Sequence, residues 1–95
     1  MAYDVKLSTA SGKRTAPMPT FVLHARRTPH VLVRLLAEFH KRAIEIDRLT
    51  AEPGKNRKAL RISITVGASL EVAWRMEANL QKIVEVARVE VREQG

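Results

Sequence analysis

The chain has 95 residues, 45% of them hydrophobic, and this length suits one domain with one core. Seventeen Lys and Arg against ten Asp and Glu give a formal net charge of +7, which admits nucleic acid, an anionic ligand or an acidic protein surface as a partner. The absence of Cys excludes a disulfide scaffold, a thiolate zinc site and a cysteine nucleophile. The apolar stretches are too short for a membrane-spanning helix and the N-terminus has no apolar signal core, so we expect a cytoplasmic domain.

The basic charge is concentrated in the first two thirds of the sequence. Residues 1–61 carry 13 basic and 5 acidic side chains, whereas residues 62–95 carry 4 and 5. Residues 1–20 are rich in Ser, Thr, Ala and Pro and show no sustained periodicity. This composition predicts a flexible N-terminal arm over 1–20 and a folded domain over 21–95.

A strand and the start of a helix are predicted at the beginning of the folded domain. Residues 20–27 alternate in hydrophobicity with the period of a half-buried strand, and Phe21, Leu23 and Ala25 share one face. Thr28 then suits the N-cap of a helix, and Pro29 suits the first helical position, where its missing N–H would have no partner.

The predicted first helix runs to about residue 43 and has two apolar faces. Its main stripe, which should face the core, consists of Leu32, Leu35, Leu36, Phe39 and Ala43. A weaker face of small residues lies nearly opposite and consists of Val33, Ala37 and His40. A helix shared between a core and a partner subunit would show such a second face.

The second half of the domain predicts a further strand, turn, strand, helix and strand. Residues 46–52 form a weak strand pattern, residues 53–57 a turn, and residues 60–66 a cleanly alternating strand. Ser69 suits an N-cap. The buried stripe of the second helix should consist of Leu70, Ala73, Met76, Leu80, Ile83 and Val84, and the last strand should bury Ala87, Val89 and Val91.

This order of elements predicts an α+β, ferredoxin-like βαββαβ domain. Because each helix has one main apolar stripe, both helices should cover the same face of a four-stranded antiparallel sheet. The opposite face should be polar and basic, carrying Val22, His24, Arg26, Arg61, Ser63, Thr65 and Arg88.

The open basic face raises the hypothesis of nucleic-acid binding, and scattered polar residues raise that of an enzyme. RNA-recognition modules with this topology stack bases on aromatic side chains, but only 4% of this chain is aromatic. His24, His30 and His40 have no metal-ligand spacing, and no carboxylate pair or Ser/His/Asp set converges. We therefore expect no catalytic residue, no metal ligand and no cofactor, and regard nucleic acid as a weak alternative.

Residues 21–92 resemble the ACT domain, and within that group they are similar to the small regulatory subunit of acetohydroxyacid synthase (acetolactate synthase). The resemblance rests on Pro29 with residues 32–36, on residues 39–43 and 46–50, and on residues 80–86. The last three blocks resemble the family stretches L-F-x-x-R-G-(F/Y)-x-I-x-S-L-T and Q-L-x-K-L-x-D-V.

The resemblance implies a noncatalytic subunit that binds the thiamine-diphosphate-dependent large subunit and raises its activity in branched-chain amino-acid biosynthesis. In this family an amino-acid effector sits where the loop after the first strand meets the first helix, closed by a neighbouring ACT domain. The corresponding candidate effector residues here are Arg27, Thr28, Pro29, His30, Val31 and Leu32. Helix N-terminal N–H groups at this place suit a carboxylate or another anion.

The loop departs from the family pattern Asn-x-(Pro/Ser)-Gly-(Val/Ala)-Leu in two positions. Arg27 stands at the Asn position and His30 at the Gly position. An imidazole would place bulk where the backbone of a bound amino acid should pass, so we expect valine to bind weakly or not at all. The chain ends at Gly95 without the second domain of longer small subunits, as in the short, valine-insensitive members.

A homodimer is also expected, because a four-stranded sheet leaves its edge strands unpaired. The predicted seam consists of Val33, Ala37, His40, Ile46 and Leu49. Two alternatives remain beside the regulatory subunit: a free-standing ACT-type sensor of another small ligand, and a basic ferredoxin-like domain that associates with nucleic acid.

Overall fold

The computed structural model describes residues 3–6 and 18–94. Within them the elements follow the order β1 (Tyr3–Lys6), β2 (Met18–Arg26), α1 (Val31–Lys41), β3 (Ile46–Pro53), β4 (Ala59–Val66), α2 (Leu70–Leu80) and β5 (Val86–Gln94). The strands form one open antiparallel sheet in the order β1-β3-β4-β2-β5. From β2 onward, the four strands and two helices form the predicted α+β ferredoxin-like arrangement, which is confirmed.

Two described segments of the predicted flexible arm over 1–20 lie in strands. Tyr3–Lys6 forms β1, which pairs with β3 from Tyr3 opposite Ala51 to Lys6 opposite Arg48, and β2 already begins at Met18. A segment of four residues is too short for its own pattern to indicate a strand, and only the free edge of β3 supplies its hydrogen-bonding partners. Residues 1–2 and 7–17 lie outside the described residues, and the flexible arm stays a prediction.

The core lies between one face of the sheet and the two helices. The central strands β2 and β4 alternate as predicted, and Phe21, Leu23, Ile62 and Ile64 are fully buried between sheet and helices. The helices close the core with Val31, Leu35 and Phe39 from α1 and Ala73, Met76 and Leu80 from α2. Phe21 and Phe39 join the two layers in edge-to-face contact.

The start and the buried face of α1 differ from the prediction. Residues 29–30 form a turn, the helix begins at Val31, and His30 is an N-cap residue whose side chain makes no capping hydrogen bond. Thr28 is therefore not the cap. The buried stripe includes Val31, whereas Leu36 is 36% exposed. Sequence periodicity alone does not determine to within one residue which side of the helix is buried. The packing of α1 on the sheet determines it.

Ala43 also leaves the predicted stripe. It lies beyond the end of α1, is exposed, and has a positive φ of 55° in the turn that leads to β3. The left-handed backbone reverses the chain direction at this point, so the helical pattern cannot continue through it.

The second half of the domain follows the prediction except between the end of α2 and the start of β5. Ser69 caps α2, because its Oγ accepts a hydrogen bond from the backbone N–H of Val72 at 3.2 Å. The helix ends at Leu80, and Val84, predicted to be buried, is 79% exposed in the following turn. β5 begins at Val86, and a bulge at the Ala25 pairing leaves Ala87 exposed rather than buried.

Candidate functional site

The loop between β2 and α1 forms a surface pocket of ≈ 400 Å³. One side of the loop is fixed to the sheet, because the Arg27 N–H donates to the Lys58 carbonyl oxygen at 2.7 Å. The pocket is lined by Arg27, Thr28, Pro29, Val31, Leu32 and Leu60. Five of the six predicted effector residues therefore meet in one pocket, and Leu60 of β4 was missed because it is distant in sequence.

The polar groups of this pocket suit an anion. The Thr28 Oγ1 atom is buried and has no hydrogen-bond partner among the described residues. Arg27 is exposed beside it, and the N-terminus of α1 carries a partial positive charge. A buried hydroxyl without a partner costs free energy that a bound ligand could recover. The pocket is apolar on its α1 side, where Val31 and Leu32 lie.

His30 does not occupy the place that the sequence suggested. Its side chain is exposed, and it is not among the residues that line the pocket. His30 thus lies outside the pocket that the other five candidate effector residues line. That valine binds weakly or not at all stays a prediction.

The residues predicted for a dimer seam do not lie on one surface. Val33, Ala37 and His40 are exposed on the outer side of α1, and Ile46 is half-buried. Leu49, however, is a core residue with 4% exposure. β3 is also not the free edge that the prediction assumed, because β1 pairs with it on the side opposite β4. The homodimer itself stays a prediction, and the described edges of the sheet are β1 and β5.

The outer side of α1 carries an apolar surface, which we call the α1 face and define as Val33, Leu36 and Ala37. Val33 is 68% exposed and Leu36 is 36% exposed. Helical periodicity places the three side chains next to one another. Isolated apolar residues on a surface are ordinary, but neighbouring ones on one helix face mark a candidate contact surface.

Ion pairs flank the α1 face. The Glu38 carboxylate contacts Lys41 at 3.3 Å and Arg42 at 2.8 Å, and the hydrogen bond from Arg42 lowers the pKa of Glu38. Arg34 reaches across to Glu85, in the turn before β5, at 3.2 Å. These charged groups are satisfied within the chain, so a partner could cover the α1 face without leaving them unpaired.

Two further surface features escaped the sequence analysis. Trp74 is 59% exposed on α2. Its exposure could have been predicted only from its helical position outside the buried stripe. On the open side of the sheet, the Glu90 carboxylate lies 2.8 Å from Arg88, 3.2 Å from Arg92 and 3.9 Å from His24. The hydrogen bond from Arg92, followed by the charge of Arg88, lowers the pKa of Glu90.

The described part of the chain offers neither a metal-binding cluster nor a membrane-spanning helix. No group of three or more His, Cys, Asp or Glu side chains there could hold a metal ion. Neither α1 nor α2 combines the length and the apolar character needed to cross a membrane.

Comparison with known proteins supports the fold. No protein-family model and no curated protein matches the chain. The chain is similar to the C-terminal domain of the MgtC protein from Mycobacterium tuberculosis, with 15% identity, a TM-score of 0.67, and coverage of 86% of this chain and 93% of that one. A second match is a chain in the complex of the chemotaxis kinase CheA P2 domain with the response regulator CheY from Thermotoga maritima. That match has 14% identity, a TM-score of 0.48, and coverage of 81% of this chain and 99% of that one.

Proposed function

We propose that this chain is a noncatalytic regulatory subunit of acetohydroxyacid synthase, which binds the thiamine-diphosphate-dependent large subunit and raises its activity. The sequence blocks over 29–43, 46–50 and 80–86 support this role through their resemblance to the small subunits of that enzyme. The ferredoxin-like fold is compatible with it. The observation that carries the proposal is the exposed apolar α1 face, because a subunit that acts only through a partner needs a surface on which the partner binds.

The α1 face has the chemistry of a protein contact. Fully burying a Val or Leu side chain contributes roughly 1.5–3 kcal/mol, so covering Val33 and Leu36 supplies a useful part of a binding free energy. Interfaces combine such an apolar centre with a polar rim. Here the rim consists of the ion pairs of Glu38 and Arg34.

The direct test mixes the purified chain with the large subunit from the same source. Light scattering should show a complex, and the rate of acetolactate formation should rise. Val33→Glu places a charge in the α1 face and should abolish both effects, while the isolated variant remains folded. Val84→Glu is the matched control, since Val84 is also an exposed valine, at 79%, but lies outside the α1 face.

Three results would contradict the proposal. The first is the absence of a complex and of activation with the unmodified chain. The second is equal loss with Val33→Glu and Val84→Glu, which would mean that the α1 face is not the contact. The third is that Val33→Glu converts a homodimer of the isolated chain to a monomer but leaves activation of the large subunit intact. The α1 face would then be a surface for self-association.

The β2–α1 pocket favours a second candidate function, the sensing of a small anionic ligand. The specific observation is the buried Thr28 Oγ1, which has no partner among the described residues and lies beside Arg27. Such a ligand would place a carboxylate or phosphate against the N-terminus of α1.

A thermal-shift titration with valine, leucine, isoleucine and inorganic phosphate tests this function. A ligand at 100 times its Kd should raise the free energy of unfolding by about 2.7 kcal/mol. Thr28→Val should remove that rise, and Arg75→Gln, on α2, should retain it. A rise with valine would show that His30 does not exclude amino acids, a rise with phosphate alone would indicate a simple anion site, and no rise with any probe would reject the function.

A further inference from the structure

The open face of the sheet is divided into two halves that differ in charge and burial. Toward the start of β2, Thr20 and Val22 are buried, and the Thr20 and Thr65 hydroxyls are hydrogen-bonded at 2.9 Å. Toward the end of β2, the face carries His24 and several exposed Arg and Lys side chains. We call this second half the basic half and define it as His24, Arg26, Lys58, Arg61 and Arg88.

The strand register brings these residues together around His24. Arg61 of β4 is the direct neighbour of His24 on one side, and Arg88 of β5 is its neighbour on the other. Directly opposed residues in antiparallel strands have Cβ atoms roughly 4.5–5.5 Å apart. Arg26, two residues further along β2, projects on the same face as His24. Three arginines are therefore neighbours of His24 on this face, together with Glu90, whose carboxylate lies 3.9 Å from the His24 Nε2.

A surface depression of ≈ 510 Å³ opens at the end of this cluster. Its polar lining consists of His24, Arg26, Lys58, Asn56 and Glu85, whose carboxylate is paired with Arg34 at 3.2 Å. Its apolar lining includes Ala25, Ala59 and Ala87. Ligand sites typically have volumes of roughly 300–1,000 Å³ and combine apolar walls with a few polar groups, as this depression does.

Three cations of the basic half form no ion pair within the described residues, whereas Arg88 is paired with Glu90 at 2.8 Å. In the part of the chain that the structure describes, no carboxylate lies within ion-pair distance of Arg26, Lys58 or Arg61. Of the nearby acids, Glu85 contacts Arg34 at 3.2 Å and Glu90 contacts Arg88 at 2.8 Å and Arg92 at 3.2 Å. Glu52 of β3 lies opposite Arg61 in the strand register. Like charges held so close together attract a multiply charged anion.

We propose that the basic half binds an organic phosphate that carries two or more phosphoryl groups, of the nucleoside diphosphate class. Arg26, Arg61 and Lys58 would contact the phosphoryl oxygens, because guanidinium groups bind phosphate through paired N–H donors. The alanine-lined wall of the depression would contact the organic part of the ligand. The proposal is independent of the regulatory role, since the basic half lies on the side of the sheet opposite the α1 face.

A small ligand fits these observations better than a nucleic-acid strand. Proteins that bind single strands on a sheet stack bases on aromatic side chains, and the described open-face positions of β2 and β4 carry none. In the other half of the face, β2 and β4 are uncharged at Thr20, Val22, Ser63 and Thr65, and charged residues lie only on the neighbouring strands, at Arg48, Glu90 and Arg92. The two central strands therefore carry no continuous row of cations for the backbone of a strand.

Isothermal titration of the full chain with ADP and with pyrophosphate tests the proposal. Both probes should bind, ADP more tightly than pyrophosphate because only ADP has an organic part. Arg26→Gln and Arg61→Gln should each weaken ADP binding about tenfold, the effect of losing one charge-assisted hydrogen bond. Arg75→Gln is the matched control: it removes the same charge from an exposed site on α2 and should change the Kd less than twofold.

Circular dichroism should show that all three variants are folded, as expected for exposed positions. Equal weakening by Arg75→Gln and Arg26→Gln would overturn the proposal, because binding would then depend only on net charge. Failure of both probes to bind at millimolar concentration would also overturn it. Binding of a single-stranded oligonucleotide without binding of ADP would reject the small ligand and identify the basic half as a nucleic-acid surface.

Discussion

The rings of Phe21 and Phe39 meet edge to face, with centroids 5.3 Å apart and ring planes at 77°. Phe21 projects from β2 and Phe39 from the last turns of α1, and both are fully buried. This contact fixes α1 against the sheet and thereby positions both the β2–α1 pocket and the α1 face.

Replacing Phe39 with alanine should lower the free energy of unfolding by about 3–5 kcal/mol, because the lost ring leaves a cavity in the core. Phe39→Leu should lower the free energy of unfolding clearly less, because leucine retains most of the apolar volume. It would lose the edge-to-face contact and some packing. Urea denaturation of both variants measures the difference. A loss of under about 1 kcal/mol for Phe39→Ala would contradict the position of α1.

Removing the hydroxyl group from Ser69 and from Thr28, which precede the two helices, should change the stability of the protein differently. Ser69→Ala removes the hydrogen bond from the Val72 N–H and should destabilise the protein by about 1 kcal/mol. Thr28→Val replaces a buried hydroxyl without a partner by a methyl group and should be neutral or stabilising. Thermal denaturation measures both changes. If Thr28→Val proves as damaging as Ser69→Ala, Thr28 caps α1 after all.

Gly54 allows the β3–β4 hairpin to close tightly. Its N–H donates to the Ala59 carbonyl oxygen at 3.0 Å, and a Cβ atom at position 54 would lie 2.7 Å from the Ala59 Cβ. Gly54→Ala should therefore cost about 1–3 kcal/mol of stability, as overpacking usually does. Combining it with Ala59→Gly removes the clash, and denaturation should show that the double variant loses less than the sum of the single losses.

Acid should weaken the contribution of Glu90 to stability. Because its pKa in the folded chain lies below the usual 4.5, Glu90 stabilises the fold above that value and loses this effect as the pH falls through its folded-state pKa. NMR titration should show the lowered pKa directly. Arg92→Gln should raise it toward the usual value, while Arg75→Gln should leave it unchanged. An unshifted pKa in the unmodified chain would refute the contact with Arg92.

The sequence by itself determined the features that depend on neighbouring residues. The alternation of Leu60, Ile62, Ile64 and Val66 predicted β4, and the serine before an apolar helical pattern predicted the cap of α2. These patterns are local, because a strand repeats every two residues and a helix every 3.6. The order of elements and the single apolar stripe of each helix then favoured one antiparallel sheet with both helices on one face.

Only the tertiary structure decided the features that join distant segments. The start of α1 at Val31 and its buried stripe depend on how the helix docks on the sheet, and β1 depends on the free edge of β3. Leu60 enters the pocket of Arg27 and Thr28 from another strand. The sequence predicted an open basic face with His24, Arg61 and Arg88, but only the register places Arg61 and Arg88 on either side of His24. No local pattern encodes such pairings, since they are set by which strands exchange hydrogen bonds and in which register.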